Sequence, residues 1–165
     1  MSFVLKGNIN TRIWARSEEC SNLSWLTSEE VVADLILDFR IFKGELSVWR
    51  IEDDRSNLDR VIAALAATRD NPAHYAYTLI DKELLRDKGF NLEPTAGTTL
   101  DDKVNTWHFD IVELSTQKAA DLANTFFHHH VEQDEKFKDE VTDLVSSYAH
   151  LYKSKGMKKW VKSLL

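Results

Sequence analysis

The spacing of apolar residues changes repeatedly along this chain, between the repeat of about 3.6 residues that is typical of a helix and the alternation that is typical of a strand. "LTSEEVVADLILDF" carries an apolar stripe at helical spacing, and "ELSVWRIED" after Gly44 alternates. Helical and alternating stretches then follow one another to Leu114. Because strands that alternate with helices are usually joined by crossovers, we predict an α/β (or α+β) domain with a short mixed sheet packed by helices.

The individual elements can be placed from their caps and breakers. A capping box at Thr27 predicts a helix to Phe39, and Gly89 is expected to end a short helix. "TRIWAR" is compatible with an edge strand. Three further stretches are rich in residues that favour strands, and they give predicted strands at 45–52, 73–80 and 105–114.

The C-terminal third lacks this alternation. No glycine or proline occurs between Thr98 and Lys155, so residues 116–154 are compatible with one helix of about 58 Å at 1.5 Å per residue. A compact domain of this length is only about 30 to 40 Å across. The helix must therefore break near its histidines, or project and pair with another chain. We predict an all-helical C-terminal third.

Length and composition indicate one soluble domain. The chain has 165 residues, the usual size of a single domain, and we divide residues 1–165 into an α/β part (1–114) and a helical part (115–165). Cys20 is the only cysteine, so no intramolecular disulfide can form. The sequence begins without a signal-peptide pattern and contains no apolar run long enough to cross a membrane. These features favour a cytoplasmic protein that does not bind membranes.

Charge and missing motifs favour an interaction protein. The formal net charge of -6 disfavours broad binding to nucleic-acid phosphates and suits a basic protein partner. The glycine spacings of nucleotide-binding loops and the serine elbow of hydrolases are absent. The preferred hypothesis is a non-catalytic protein-interaction or regulatory domain, such as an acidic partner-binding or toxin-neutralising subunit. Its expected partner is another protein or a second copy of itself.

The run "TFFHHHVEQDE" raises the possibility of a metal site. Consecutive helical residues point about 100° apart, so the three histidines cannot face one ion. His128 with Glu132, or His130 with Asp134, would supply two ligands, and zinc would need others from distant residues. We therefore predict no metal and no cofactor, and we interpret the run as a helix end or break.

An enzyme is the alternative hypothesis. Alternation places His108 and Asp110 on one face of a predicted strand, and Arg50 lies on another predicted strand. If the strands were neighbours with these side chains on one face, Asp110 would orient the imidazole and Arg50 would bind an anionic group. The three residues would then serve a small hydrolase or transferase acting on an anionic substrate.

Overall fold

A computed structural model describes residues 2–7, 9 and 29–165. Within these ranges, six strands form one sheet in the order β4-β5-β2-β1-β3-β6, and each neighbouring pair is antiparallel. The strands are β1 (Phe3–Gly7), β2 (Leu46–Ile51), β3 (Tyr75–Asp81), β4 (Asn91–Pro94), β5 (His108–Val112) and β6 (His130–Lys136). The helices are α1 (Glu29–Phe39), α2 (Leu58–Ala66), α3 (Lys82–Asp87), α4 (Asp102–Asn105), α5 (Thr116–His129), α6 (Lys138–Tyr148) and α7 (Lys159–Lys162), with a 3-10 turn at Ala149–Leu151.

Each face of the sheet carries a hydrophobic core. The α2 face packs against α2, α6 and the C-terminal segment, and its core includes Leu5 and Leu79. The α5 face packs against α1, α3 and α5, and its core includes Val4 and Ile80. Consecutive residues of β1 and β3 thus enter opposite cores, as strand alternation requires. The fold is a three-layer α+β domain with helices on both faces.

The mixed sheet that we predicted is wrong, because β1 occupies the centre of the sheet. β2 and β3 are each antiparallel to β1, so they run parallel to each other with β1 between them. The crossover through α2 exists, but it joins strands that are not neighbours. The expected crossover between β2 and β3 therefore gave their relative direction correctly. It gave their position incorrectly, because they are not neighbours in the sheet.

The all-helical C-terminal third is also wrong, because strand β6 interrupts it. α5 ends at His129, and residues 130–136 pair antiparallel with β3, with an irregularity in register between Leu79 and Ile80. The long helix breaks at the histidine run, as one of the two alternatives required. Pairing with the open edge of β3 gives this polar segment backbone hydrogen bonds that a helix would otherwise supply.

The other predicted elements occur close to their expected positions. The helix ending at Phe39 and the strands predicted at 45–52, 73–80 and 105–114 correspond to α1, β2, β3 and β5. The helix before Gly89 is α3, and the backbone of Gly89 has φ +82, a value that favours glycine. The capping box at Thr27 and the strand proposed for "TRIWAR" lie outside the described residues.

Candidate functional site

The predicted catalytic residues lie on two neighbouring strands but not on one face of the sheet. In the β2–β5 pair, Ser47 is opposite Asp110 and Trp49 is opposite His108, and directly opposite residues share a face. His108 and Asp110 therefore lie on the α2 face. Arg50 follows Trp49 in β2 and belongs to the α5 face. The structure brings His108 and Asp110 together and leaves Arg50 on the other side.

Asp110 is the centre of a chain of hydrogen bonds. The Ser47 hydroxyl donates to Asp110 Oδ1 at 3.0 Å, and the Thr95 hydroxyl donates to Oδ2 at 2.8 Å. Thr95 Oγ1 also lies 2.8 Å from Nδ1 of His108. Since an ionised carboxylate can only accept, and the single hydroxyl proton of Thr95 goes to Asp110, the imidazole donates from Nδ1 to Thr95. This chain links β2, β5 and the segment after β4.

His108 is enclosed within this arrangement. Its residue exposure is 7%, and its ring meets Trp49 edge to face with centroids 4.8 Å apart. Burial lowers the pKa of His108 below its ordinary value, although Asp110 and Thr95 act in the opposite direction. Nε2 lies 3.8 Å from Asp110 Oδ1, which is too far for a hydrogen bond. A neutral, enclosed imidazole of this kind stabilises the sheet and has little access to a substrate.

Arg50 belongs to a separate group of charges on the α5 face. One guanidinium nitrogen lies 3.1 Å from Glu52 Oε1, and the buried Nε has no hydrogen-bond partner among the described residues. The ammonium of Lys82 lies 4.7 Å from the centroid of the Phe109 ring. Burial, followed by the charges of Arg86 and Arg50, lowers the pKa of Lys82. Arg50 is therefore part of a mixed-charge region and not of the imidazole chain.

The histidine run ends a helix and begins a strand. Nδ1 of His130 lies 3.1 Å from the carbonyl oxygens of both Phe126 and Phe127. A proton on Nδ1 would satisfy carbonyls that the end of α5 leaves without helical partners. In the described ranges, no three histidine, cysteine, aspartate or glutamate side chains are arranged to hold a metal ion. This contact gives His130 a structural role at the end of α5, whereas His128 and His129 are exposed.

The edge strand β6 places acidic side chains beside a buried tyrosine. Glu132 is paired across from Leu79 and Asp134 across from Tyr77, so both lie on the α2 face. The Tyr77 hydroxyl donates to Glu132 Oε1 at 2.7 Å and lies 3.5 Å from Asp134 Oδ2. Arg55 forms an ion pair with Glu132. Burial and then the charge of Asp134 raise the pKa of Tyr77 to about 12, so this hydroxyl stays neutral near pH 7.

A groove whose lining includes three acids adjoins these side chains. Its volume is about 290 Å³, and it is lined by residues of α2 and α6 together with Lys136 of β6. Because Lys136 belongs to β6 and lines the groove, the groove adjoins β6. We call this combined region the β6 surface, and its acidic members are Asp59, Glu132, Asp134, Glu140 and Asp143.

Sequence reasoning missed the β6 surface because both sides of β6 are polar. A half-buried strand is recognised by apolar residues at every second position, and "HVEQDEK" contains Val131 as its only aliphatic residue. The signal that was present is the crowding of acids in residues 132–143. These acids predict a negatively charged surface, but they do not predict that the backbone of residues 130–136 is a strand.

Comparisons of the chain with protein-family models, curated proteins and solved structures gave no match. Among the described helices, none has the length and apolar character needed to cross a membrane.

Proposed function

We propose that this protein is a non-catalytic partner-binding subunit that takes up a basic, extended segment of another protein along β6. The observation that carries the proposal is that an acidic strand forms the end of the sheet. β6 pairs with β3 on one side, and no described strand pairs with its other side. A strand edge of this kind can accept an added strand through backbone hydrogen bonds.

The charges around β6 favour a basic occupant. Ion pairs with Arg55 and Lys136 neutralise only part of the acidic set, since Lys136 lies 3.4 Å from Asp134 and Arg55 contacts Glu132. The remaining acids are Asp59, Glu140 and Asp143 in the groove and Glu135 on the α5 face of β6. Complementary charge of this kind speeds association and selects partners.

Apolar side chains near both ends of β6 add contact area. Val131 is 49% exposed and Phe137 is 62% exposed. Leu144 lines the groove among the acids. An extended segment with lysine or arginine at alternate positions and apolar residues between them would meet both kinds of surface.

A second copy of this chain fits the same edge less well. Antiparallel pairing of two β6 strands would bring acidic side chains opposite one another, and like charges at cross-strand positions are destabilising. The expectation of a dimer also depended partly on one long helix, which ends at His129. Self-association is therefore an outcome for the experiment to exclude.

The hydrolase or transferase hypothesis has weaker support. It needed Arg50, His108 and Asp110 on one wall, whereas β2 places Arg50 on the α5 face. The remaining pair includes an imidazole with 7% exposure. We therefore prefer partner binding to catalysis.

The binding test uses an alternating lysine–valine peptide and a matched glutamate–valine peptide. Fluorescence anisotropy is expected to detect the basic peptide only, with an affinity that falls as salt rises. The Asp134→Lys plus Glu135→Lys double variant should weaken binding by about tenfold or more, equivalent to about 1.4 kcal/mol. The matched control is Glu83→Lys plus Asp87→Lys on α3, which reverses two exposed acids and should leave the affinity unchanged.

Hydrogen exchange and light scattering complete the test. Bound peptide should slow exchange of β6 amides if it adds as a strand. Equal loss of binding in the α3 control, or peptide binding without protection of β6, would contradict the proposal. So would an oligomer in which β6 amides are protected without peptide, because a second copy would then occupy the edge.

A further inference from the structure

A cavity lined by cations lies at the end of the sheet where β1 finishes and β2 and β3 begin. Its volume is about 320 Å³, within the usual range of ligand pockets. Side chains of β2 and β3 and of the end of α2 surround it. The lining residues are Lys6, Gly7, Arg40, Ser47, Trp49, Leu65, Thr68, Arg69 and Tyr75.

Three cations reach this cavity from three separate segments. Lys6 comes from β1, Arg40 from the connection after α1, and Arg69 from the turn after α2. The residues that line the cavity include no aspartate or glutamate. This is a local reversal of charge in a protein whose net charge is -6. Converging cations in a concave site are the usual means of binding a small anion.

Lys6 lies in a desolvated position. Its Nζ donates to the carbonyl oxygen of Gly7 at 3.1 Å. Burial lowers the pKa of Lys6 to about 8, with Asp38 raising it and Arg40 lowering it. An ammonium that is desolvated and faces another cation is stabilised when an anion binds next to it.

Several polar groups around the cavity already have partners, and Arg69 donates to the carbonyl of His74 at 2.8 Å. The Ser47 hydroxyl donates to Asp110 and the Thr68 hydroxyl donates to the carbonyl of Leu65. The indole Nε1 of Trp49, by contrast, is buried and has no hydrogen-bond partner in the described part of the chain. Because this nitrogen has almost no accessible surface, it does not border the open volume of the cavity, and Trp49 lines the cavity with other atoms.

The backbone at Arg40 is in an uncommon conformation. Arg40 has φ 54, in the left-handed region that residues other than glycine, asparagine and aspartate seldom adopt. Its N–H donates to the carbonyl of Leu37 at 3.2 Å, so the strain is held at the end of α1. Backbone strain of this type is concentrated at binding and catalytic sites.

We propose that this cavity binds a small anion through phosphate or carboxylate oxygens, with Lys6, Arg40 and Arg69 supplying charge. The proposal is independent of partner binding at β6, since the cavity and the β6 groove have no lining residue in common. The cavity accommodates a compact anion. A long polyanion would instead have to cross the acidic remainder of the surface, which disfavours it.

The experiment titrates inorganic phosphate and citrate separately at constant ionic strength and follows them by NMR. Shifts of the Trp49 indole N–H and of the Lys6 side-chain signals are expected. The ligand that binds more tightly identifies phosphate or carboxylate as the preferred group. Binding should raise the pKa of Lys6 above its free value of about 8, and affinity should fall as pH rises through that free value because neutral lysine no longer attracts the anion.

Variants separate this site from surface charge in general. Arg40→Ala should weaken binding by about tenfold or more, whereas Arg86→Ala, which removes an exposed arginine paired with Glu83, should not change it. Lys6→Gln should abolish the dependence of citrate affinity on pH near 8, where citrate itself does not titrate. Equal affinities of wild type and Arg40→Ala, or a Lys6 pKa in the wild type that saturating anion does not move, would overturn the proposal. The second measurement needs no variant, so misfolding cannot obscure it.

Discussion

The guanidinium of Arg60 binds the carboxylate of Asp101 through two hydrogen bonds, from Nε to Oδ2 at 2.7 Å and from the terminal nitrogen to Oδ1 at 2.9 Å. The same carboxylate accepts from the amides of Lys103 and Val104 and so caps α4. The Asp101 side chain is only 2% exposed. One buried carboxylate thus ties α2 to the segment that leads into β5.

We expect Asp101→Asn to lower the free energy of unfolding by about 2 to 3 kcal/mol. The amide retains an oxygen that can cap α4, but it no longer balances the charge of Arg60. The loss should be smaller than for a fully buried pair, because the Arg60 side chain keeps 27% exposure. Urea denaturation with an unchanged m-value would measure the difference.

The adjacent residue provides the control. Asp102 also forms an ion pair, with Lys153, but its side chain is 71% exposed. Exposed pairs contribute about 0 to 1 kcal/mol, so Asp102→Asn should change stability little. If the two substitutions lower the free energy of unfolding equally, the buried Arg60–Asp101 pair stabilises the protein no more than an exposed ion pair does.

A second prediction concerns the acid side of the stability curve. Burial opposes ionisation of Asp101, but Arg60 and the two backbone amides outweigh it and hold its pKa below the ordinary value. The folded protein therefore binds fewer protons at this group than the unfolded chain. The contribution of the pair is fully present above about pH 4, the unfolded pKa, and is lost as pH falls through the folded pKa.

Urea midpoints at pH 7, 5, 4 and 3 would follow this dependence. The difference between wild type and Asp101→Asn should be constant at the two higher values and should shrink at the two lower ones. A difference that stayed constant down to pH 3 would show that the ionised carboxylate is not the source of the stabilisation.

Local patterns predicted β2, β3 and β5, but they predicted neither β1, β4 and β6 nor the arrangement of the strands. Alternation in β2 and β5 is visible because Leu46 and Ile111 enter one core while Trp49 packs against the other. Nothing in "FVLKG" indicates that β1 lies between β2 and β3, since neighbour relations depend on distant segments. β6 was missed for a different reason: its polar side chains give neither face an apolar signature.

The candidate catalytic set illustrates the same limit. That His108 and Asp110 share a face follows from their spacing within one strand. Whether Arg50 joins them depends on the register between β2 and β5, and a shift of one residue moves a side chain to the opposite face. The observed register pairs Trp49, not Arg50, with His108. The register between two strands cannot be read from the sequence of either strand alone.

A third prediction concerns the close contact between Gly7 and Tyr75. A Cβ atom on Gly7 would lie 1.9 Å from the Tyr75 hydroxyl oxygen and 2.7 Å from Cζ. Gly7→Ala should therefore cost about 1 to 3 kcal/mol through overpacking. The cost should be smaller in a Tyr75→Phe background, which removes the nearest atom.

A double-mutant cycle over Gly7→Ala and Tyr75→Phe would measure this coupling from thermal or urea unfolding. Relief should be partial, because Cζ remains. Additive effects of the two substitutions would mean that the alanine is accommodated by movement elsewhere and that Tyr75 does not limit the space at Gly7.

The last prediction tests the role assigned to His108 near neutral pH. Its pKa is lowered below the ordinary value of 6.5, chiefly by burial. The unfolded chain therefore binds more protons at this residue than the folded protein, and stability must rise with pH in this range. The stabilisation is fully present above about pH 6.5 and is lost as pH falls through the folded pKa.

Wild type and His108→Gln should be compared by urea unfolding at steps between pH 7.5 and 5. The wild type should lose stability as pH falls, and the variant should lose less, since glutamine does not titrate. Burial and the charge of His129 also lower the pKa of His128. Because His128 is present in both proteins, its contribution to the pH dependence cancels in the comparison. Trp49, Thr95 and Asp110 contact His108 and remain in place. If the variant keeps the wild-type slope, the imidazole is not buried in its neutral form, and its assignment as a structural member of the sheet fails.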